Sequence, residues 1–125
     1  MTADPLASVG GEDGLRAILD DFLGRVFSDR IIGFFFTGRD RERILRHEWQ
    51  LAASRLAPER YTYEGRPLDK AHKPLKINKG HFRRRLAILR TVLREHGVDE
   101  AHVEAWLAHE RALEDQVTAA HDCVD

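Results

Sequence analysis

Along most of this chain apolar residues recur at three- and four-residue spacing, and no two segments offer themselves as paired strands. Leu15, Ile18, Leu19, Phe22, Val26 and Phe27 follow the rule first. A helix of 3.6 residues per turn brings such positions onto one side. A second helix is expected over about residues 40–56, with Asp40 as its N-cap and Arg43 where a reciprocal Glu would usually stand. On it Ile44, His47, Glu48 and Leu51 share one side, and Leu45, Trp49, Ala52, Ala53 and Leu56 form an adjacent stripe. Pro58 ends it. A long helix follows Gly80, with Phe82, Leu86, Leu89, Val92 and Leu93 inward and Gly97 at its C-terminal end. A last helix starts near Asp99 and turns Val103, Trp106, Leu107, Leu113 and Val117 inward. The pattern predicts an all-α fold.

The remaining segments are shorter. Residues 30–38, RIIGFFFTG, read as a corner with buried aromatics. Residues 1–11 read as loose, closing on a turn at Gly10-Gly11. Residues 57–67 read as loop, then a short helix over about 67–73 carries His72 until Pro74 bends or stops it. The stretch from 57 to 80 brings little apolar mass of its own. Either it is mobile, or it packs on something large, apolar and not made of protein.

A chain of 125 residues suits one domain over 1–125, with 1–10 and 119–125 as loose tails. Charged residues make up 33%, and no apolar run approaches the roughly 20 residues of a membrane span. The N-terminus lacks a basic region followed by an apolar one, and the one cysteine, Cys123, has no partner within the chain. These features point to the cytoplasm and to no membrane partner. A formal net charge of −1 does not suggest a nucleic-acid partner. The run Arg83-Arg84-Arg85 reads as the solvated side of its helix.

Seven histidines are the chemical handles. His96, His102 and His121 sit at helix ends or on polar stretches and read as surface residues, and His109, which follows an apolar segment but is flanked by Glu110 and Arg111, reads as structural. His47 shares a face with Ile44 and Leu51, and His72 has only Leu68 and Ala71 as apolar company. Two inward histidines on separate helices suggest a ligand pair, for zinc or for haem, although a satisfied core histidine is the plainer account of His47. Zinc usually takes four closely spaced ligands, and neither CxxC nor HExxH occurs here. Haem asks for one or two axial ligands and a large apolar pocket. Phe34, Phe35 and Phe36, with Phe22, Val26, Leu51, Leu75, Ile77, Phe82 and Leu86, could line one, or form an ordinary core. No nucleophile elbow, phosphate loop or dinucleotide turn is present. Glu48 and the pair Asp20-Asp21 are carboxylates to which the sequence assigns no partner.

Taken together, VGGEDGLRAILDDFLGRVFSD, IIGFFFTGRDRERILRHEWQLAASRL and YTYEGRPLDKAHKPLKINKGHF resemble, in order and spacing, the truncated haemoglobins, the short two-over-two globins. The resemblance runs from Val9 to about Val117. It is closest to group I, through Gly10-Gly11, the FFTG stretch at Phe35–Gly38 and the AHKPLKI…HF segment that begins at Ala71. It implies a two-over-two helical sandwich around haem b, with His72 as the proximal ligand to iron. His81 matches a frequent non-ligand histidine, Phe36 the phenylalanine packed on the haem face, and Phe35 and Phe22 neighbouring core positions. Arg43 matches a basic position that can meet a propionate. His47 matches the position that supplies a second axial ligand in some cyanobacterial members. The histidine that attaches haem covalently in some members corresponds to a place near Leu113, so the haem is expected to be non-covalent.

The chain also departs from the family. Leu23 stands where oxygen-retaining group I members usually carry a tyrosine, and Ile44 and Glu48 replace the frequent distal glutamines. Glu48 would be a protonated donor if buried, or a charged rim residue if exposed. Ala57-Pro58 replace a second glycine pair. The distal pocket expected from the resemblance is therefore Leu23, Ile44, His47 and Glu48. Its implied function is binding of oxygen, nitric oxide or another diatomic gas. Nitric oxide dioxygenase or nitrite reductase activity would need an external reductase. The alternatives are a bis-histidyl electron-transfer or redox- or gas-sensing protein, and a haem-free helical interaction module. A monomer or weak dimer is expected.

Overall fold

The computed structural model describes residues 5–63 and 76–118. Through them run α1 (Pro5–Ser8), α2 (Gly11–Phe27), α3 (Arg41–Leu56), α4 (Lys79–Glu95), α5 (Glu100–Ala112) and α6 (Glu114–Val117), with a 3₁₀ turn at Gly33–Phe36. Among the described residues there is no strand, so the fold is all-α as expected. Helix α2 is central: it packs on α3 and on α4, and α4 in turn packs on α5 and α6. Phe22, Leu15, Leu19, Phe82, Leu89, Leu93 and Leu107 are each less than 2% exposed or close to it, and they form the core where these helices meet. Trp106 belongs to this core at 7% exposure.

The helix ends follow local chemistry. Asp40 accepts the Arg43 N–H at 3.3 Å, so the half-cap read from the sequence is the one that forms. At the end of α4, the Val98 N–H reaches Leu93 O and the Gly97 N–H reaches Arg94 O, both at 3.0 Å. These two bonds make a Schellman motif, and Gly97 supplies the φ of +74° it requires. The start of α4 differs from the expected one. It begins at Lys79, before Gly80, because Asn78 and His81 form a reciprocal capping box.

Residues 5–10 are not a loose tail. Leu6 and Val9 are 3% and 6% exposed, and α1 packs against α2 and α3. Two apolar side chains three residues apart were enough to dock a single helical turn. The expected helix over 67–73, with His72, lies outside the described residues, and so do Leu75 and the tail 119–125.

The 30–38 segment is a corner, but its aromatics are not uniformly buried: Phe34 is 61% exposed, whereas Phe35 and Phe36 are partly covered. Gly33 passes so close to α2 that an added Cβ would lie 2.7 Å from Phe27 O. Asp29 organises the corner. It accepts the N–H groups of Ile31 and Ile32 at 3.0 and 3.1 Å and the Arg84 Nη2 at 2.6 Å. The arginine run on α4 therefore does not share one solvated face: Arg83 is exposed, Arg84 is tied to this corner and Arg85 points inward.

The Arg84 hydrogen bond holds the Asp29 carboxyl below its ordinary range against the opposing effect of burial, with help from the two backbone N–H groups. A carboxyl depressed in the folded state contributes stability above its unfolded pKa and loses it as pH falls through the folded one. Asp29→Asn is expected to cost about 1–2 kcal/mol near neutral pH, moderated by the exposure of Arg84. Urea unfolding of the two proteins should converge as pH drops below about 3.9. A gap that persisted in acid would contradict the assignment.

Candidate functional site

A cavity of about 500 Å³ opens between α3, the 3₁₀ turn and the start of α4. That lies within the roughly 300–1,000 Å³ of small-molecule and cofactor sites. Helix α3 supplies one wall, because Arg43, Ile44, His47, Glu48 and Leu51 recur at the spacing of one helical face. Phe35 and Phe36 close a second side, and Ile77, His81, Phe82 and Arg85 a third. Glu110, Leu113 and Val117 reach in from the C-terminal helices. Arg39 and Arg43, both exposed, stand among the lining residues as a cationic edge to a mostly apolar slot.

Nine of the residues expected from the sequence thus come together: Phe35, Phe36, Arg43, Ile44, His47, Glu48, Leu51, Ile77 and Phe82. Leu23 and Leu86 do not line the cavity. Leu23 is fully buried in the core of α2, and Leu86 is 9% exposed one residue past Arg85, which takes the cavity-facing place. His72 and Leu75 lie outside the described residues.

The electrostatics centre on Arg85. Its Nη1 lies 3.2 Å from Glu48 Oε1, and its Nη2 donates to Glu48 Oε2 and to Glu110 Oε1, each at 3.2 Å. The guanidinium carbon stands 4.9 Å over the Phe22 ring, a cation–π contact that backs it from the core side. The three side chains are 19%, 21% and 8% exposed for Arg85, Glu48 and Glu110. Burial alone would lower the Arg85 pKa, but the charges of Glu110 and Glu48 outweigh it and raise it. Arg55 lies in the same field. Burial pulls its pKa down, and Glu110 and Glu48 only partly offset this. Glu48 is therefore not the free rim charge considered from the sequence. It is an acceptor committed to Arg85.

Two further groups border the cavity. Tyr63 sets its ring edge-on to His47, centroids 6.3 Å apart. Its hydroxyl pKa is raised by burial and then by Glu48. His81 accepts the Asn78 N–H on Nδ1 at 3.1 Å, while Asn78 Oδ1 accepts the His81 N–H at 2.8 Å. The ring also meets Phe35 edge-on at 4.9 Å. Among the described residues, no group of three or more His, Cys, Asp or Glu side chains is arranged to hold a bare metal ion.

Arg85 was read from the sequence as part of a solvated run, and Glu110 and Tyr63 were not singled out as site residues. For the first two a signal existed. Arg85 falls on the Phe82–Leu89–Val92 stripe at three- and four-residue steps, and Glu110 lies seven residues beyond Val103 on the inward face of α5. A buried stripe interrupted by one charge on each of two helices is the pattern of an internal ion pair.

The described helices frame an apolar slot edged by arginines. The bacterial-like globin family model matches residues 6–121, and the chain belongs to that family. Over 74 residues it is 30% identical to the group 1 truncated hemoglobin GlbN of Mycolicibacterium paratuberculosis. That match takes in 59% of this chain and spans only 54% of the relative's length. Among solved structures, the Fe(III) truncated hemoglobin of Tetrahymena pyriformis superposes with a TM-score of 0.81 at 22% identity, covering 91% of this chain and 97% of that one. THB1 of Chlamydomonas reinhardtii superposes at 0.76 with 28% identity, covering 94% and 98%. Membership implies a haem cofactor and haem-based binding of a small ligand. The residues present fit that group: aromatic and aliphatic walls suit a flat macrocycle, and Arg39 and Arg43 suit its carboxylates. No described helix is long and apolar enough to cross a membrane.

Proposed function

We propose that the protein binds haem b non-covalently in this cavity, where His72 would hold the iron and His47 would be a second, reversible ligand to it. Its function is binding of oxygen, nitric oxide or another diatomic gas. The observation that carries the reading is the cavity itself, which has His47 on its α3 wall and arginines at its edge. Bound haem supplies an iron that takes a small ligand. The chain supplies the apolar walls, the cationic edge and the competing imidazole. Leu113 lines the cavity, and its alkyl side chain offers no group for covalent attachment. His109 is exposed and is not among the residues that line the cavity. Activity of the nitric oxide dioxygenase or nitrite reductase type would draw electrons from a reductase, in the cytoplasm, with the protein as a monomer or weak dimer.

His47 also favours a second reading, a bis-histidyl electron-transfer or redox- or gas-sensing protein with little ligand exchange. Absorption spectra of the haem-loaded protein, ferric and dithionite-reduced, before and after carbon monoxide, separate the two. Sharp, split visible bands in the reduced form that yield slowly to carbon monoxide favour the second reading. A single broad band that shifts at once favours an open site. His47→Ala is expected to convert a six-coordinate resting spectrum to a five-coordinate or water-bound one. A variant spectrum unchanged from the six-coordinate form removes His47 as a ligand. Failure to take up haem stoichiometrically removes the whole proposal and leaves a helical interaction module.

A further inference from the structure

We infer that Arg85 is a fixed cationic donor on the cavity wall that selects small anions among the ligands of this site. The inference rests on the proposed haem binding and deepens it. Arg85 lines the cavity and is held from three directions: Glu48 from α3, Glu110 from α5, and the Phe22 ring beneath. A guanidinium so braced does not reorganise when a ligand arrives, which makes its hydrogen bonds more effective than those of a free side chain. Its donor capacity is not used up. A guanidinium carries five N–H groups, and among the described residues the bonds to Glu48 and Glu110 involve Nη1 and Nη2 but not Nε.

The local charge is balanced rather than negative. Two carboxylates, Glu48 and Glu110, share the field with two guanidiniums, Arg85 and Arg55. The buried Nη2 of Arg55 has no hydrogen-bond acceptor among the described residues. An anion entering the cavity meets Arg85 without a net repulsive charge to overcome. Packing alone does not explain the arrangement, because an apolar trio of similar volume serves a closed core as well or better than a buried ion cluster. Here the cluster stands on the wall of an open slot. Among the residues that line it on the α3 side, neither Ile44 nor Leu51 can donate a hydrogen bond, Glu48 is an acceptor already engaged, and the donors are His47 and the edge residue Arg43. The ligand class favoured is a compact anion such as azide, nitrite or cyanide over a neutral ligand of similar reach.

The test compares azide with imidazole on the ferric haem-loaded protein, so that any competition from His47 enters both affinities equally. Arg85→Leu is expected to weaken azide relative to imidazole by about tenfold, the worth of one charge-assisted hydrogen bond. Arg85→Lys should restore part of it. Glu48→Gln keeps a partner of the same shape, removes one opposing charge and is expected to act in the opposite direction, strengthening azide several-fold. A merely structural role would weaken both ligands in every variant, and that result overturns the inference. The infrared C–O stretch of the ferrous carbonyl form gives a second readout, since loss of a nearby positive charge raises it. Where Arg85→Leu fails to fold, Glu48→Gln decides, and an unchanged azide-to-imidazole ratio overturns the inference. Normal haem uptake with unchanged ratios defeats this inference alone. Absence of haem uptake by the unaltered protein defeats it together with the proposal it rests on.

Discussion

Arg85→Ala is expected to destabilise the folded protein by about 3–5 kcal/mol, the usual consequence of removing one partner from a buried ion pair. The substitution leaves Glu110, 8% exposed, and Glu48, 21% exposed, without their shared counter-charge, and it uncovers the face of Phe22. Most of the loss comes from the stranded carboxylates. A protein carrying Arg85→Leu, Glu48→Gln and Glu110→Gln together should therefore recover much of it. Urea unfolding of the single and triple variants measures both quantities. A single-variant loss under about 1 kcal/mol would place the three side chains in the range of solvated surface pairs. A triple variant no better than the single one would shift the explanation from charge to packing.

How far the sequence could see this site depended on the type of residue. Apolar periodicity located α2, α3, α4 and α5 and the inward face of each, because burial of a stripe dominates where a helix docks. It also brought His47 and Ile44 to the cavity wall through their register with Leu51. The Asp40 cap and Gly97 were readable because each meets a purely local requirement. Charged residues were less legible. Three arginines in a row look like a polar face, yet successive residues on a helix are about 100° apart, so consecutive positions cannot share one face. The partners of Arg85 lie 37 and 25 residues away in sequence, and no local pattern joins them. Leu23 failed as a lining residue for a related reason. Family correspondence carried its position, but its side chain is wholly buried in the core and does not reach the cavity.

The second large effect concerns the cofactor. On the proposed assignment, His72→Ala is expected to abolish stoichiometric uptake of haem. It should also lower the melting temperature of the haem-supplemented protein to that of the apo form. A ligand present at about a thousand times its Kd contributes about 4.1 kcal/mol to stability. For a domain of this length that corresponds to a difference on the order of 15 °C. The control is His81→Ala. His81 borders the same cavity but spends its Nδ1 on the Asn78 N–H. Its loss should cost about 1 kcal/mol as a helix cap while leaving haem uptake intact. Thermal unfolding with and without added haem, followed by the haem absorption band, reads both. Haem uptake lost in His81→Ala and retained in His72→Ala would reverse the assignment of the two histidines.

His81 also joins two pieces of chain that are distant in sequence. Its ring closes the first turn of α4 through Asn78, and the same ring lies edge-on against Phe35 and Phe34, with centroids 4.9 and 5.9 Å away. Opening of either the start of α4 or the 3₁₀ turn breaks these ring contacts, which couples the two openings. In amide hydrogen exchange, the N–H groups of His81 and Phe82, both engaged at this helix start, should share a single opening event with that of Phe35, which is bonded to Ile32 O. Whatever fills the slot between them would slow all three together, turning occupancy of the cavity into a change in exchange rate on two separate stretches of backbone.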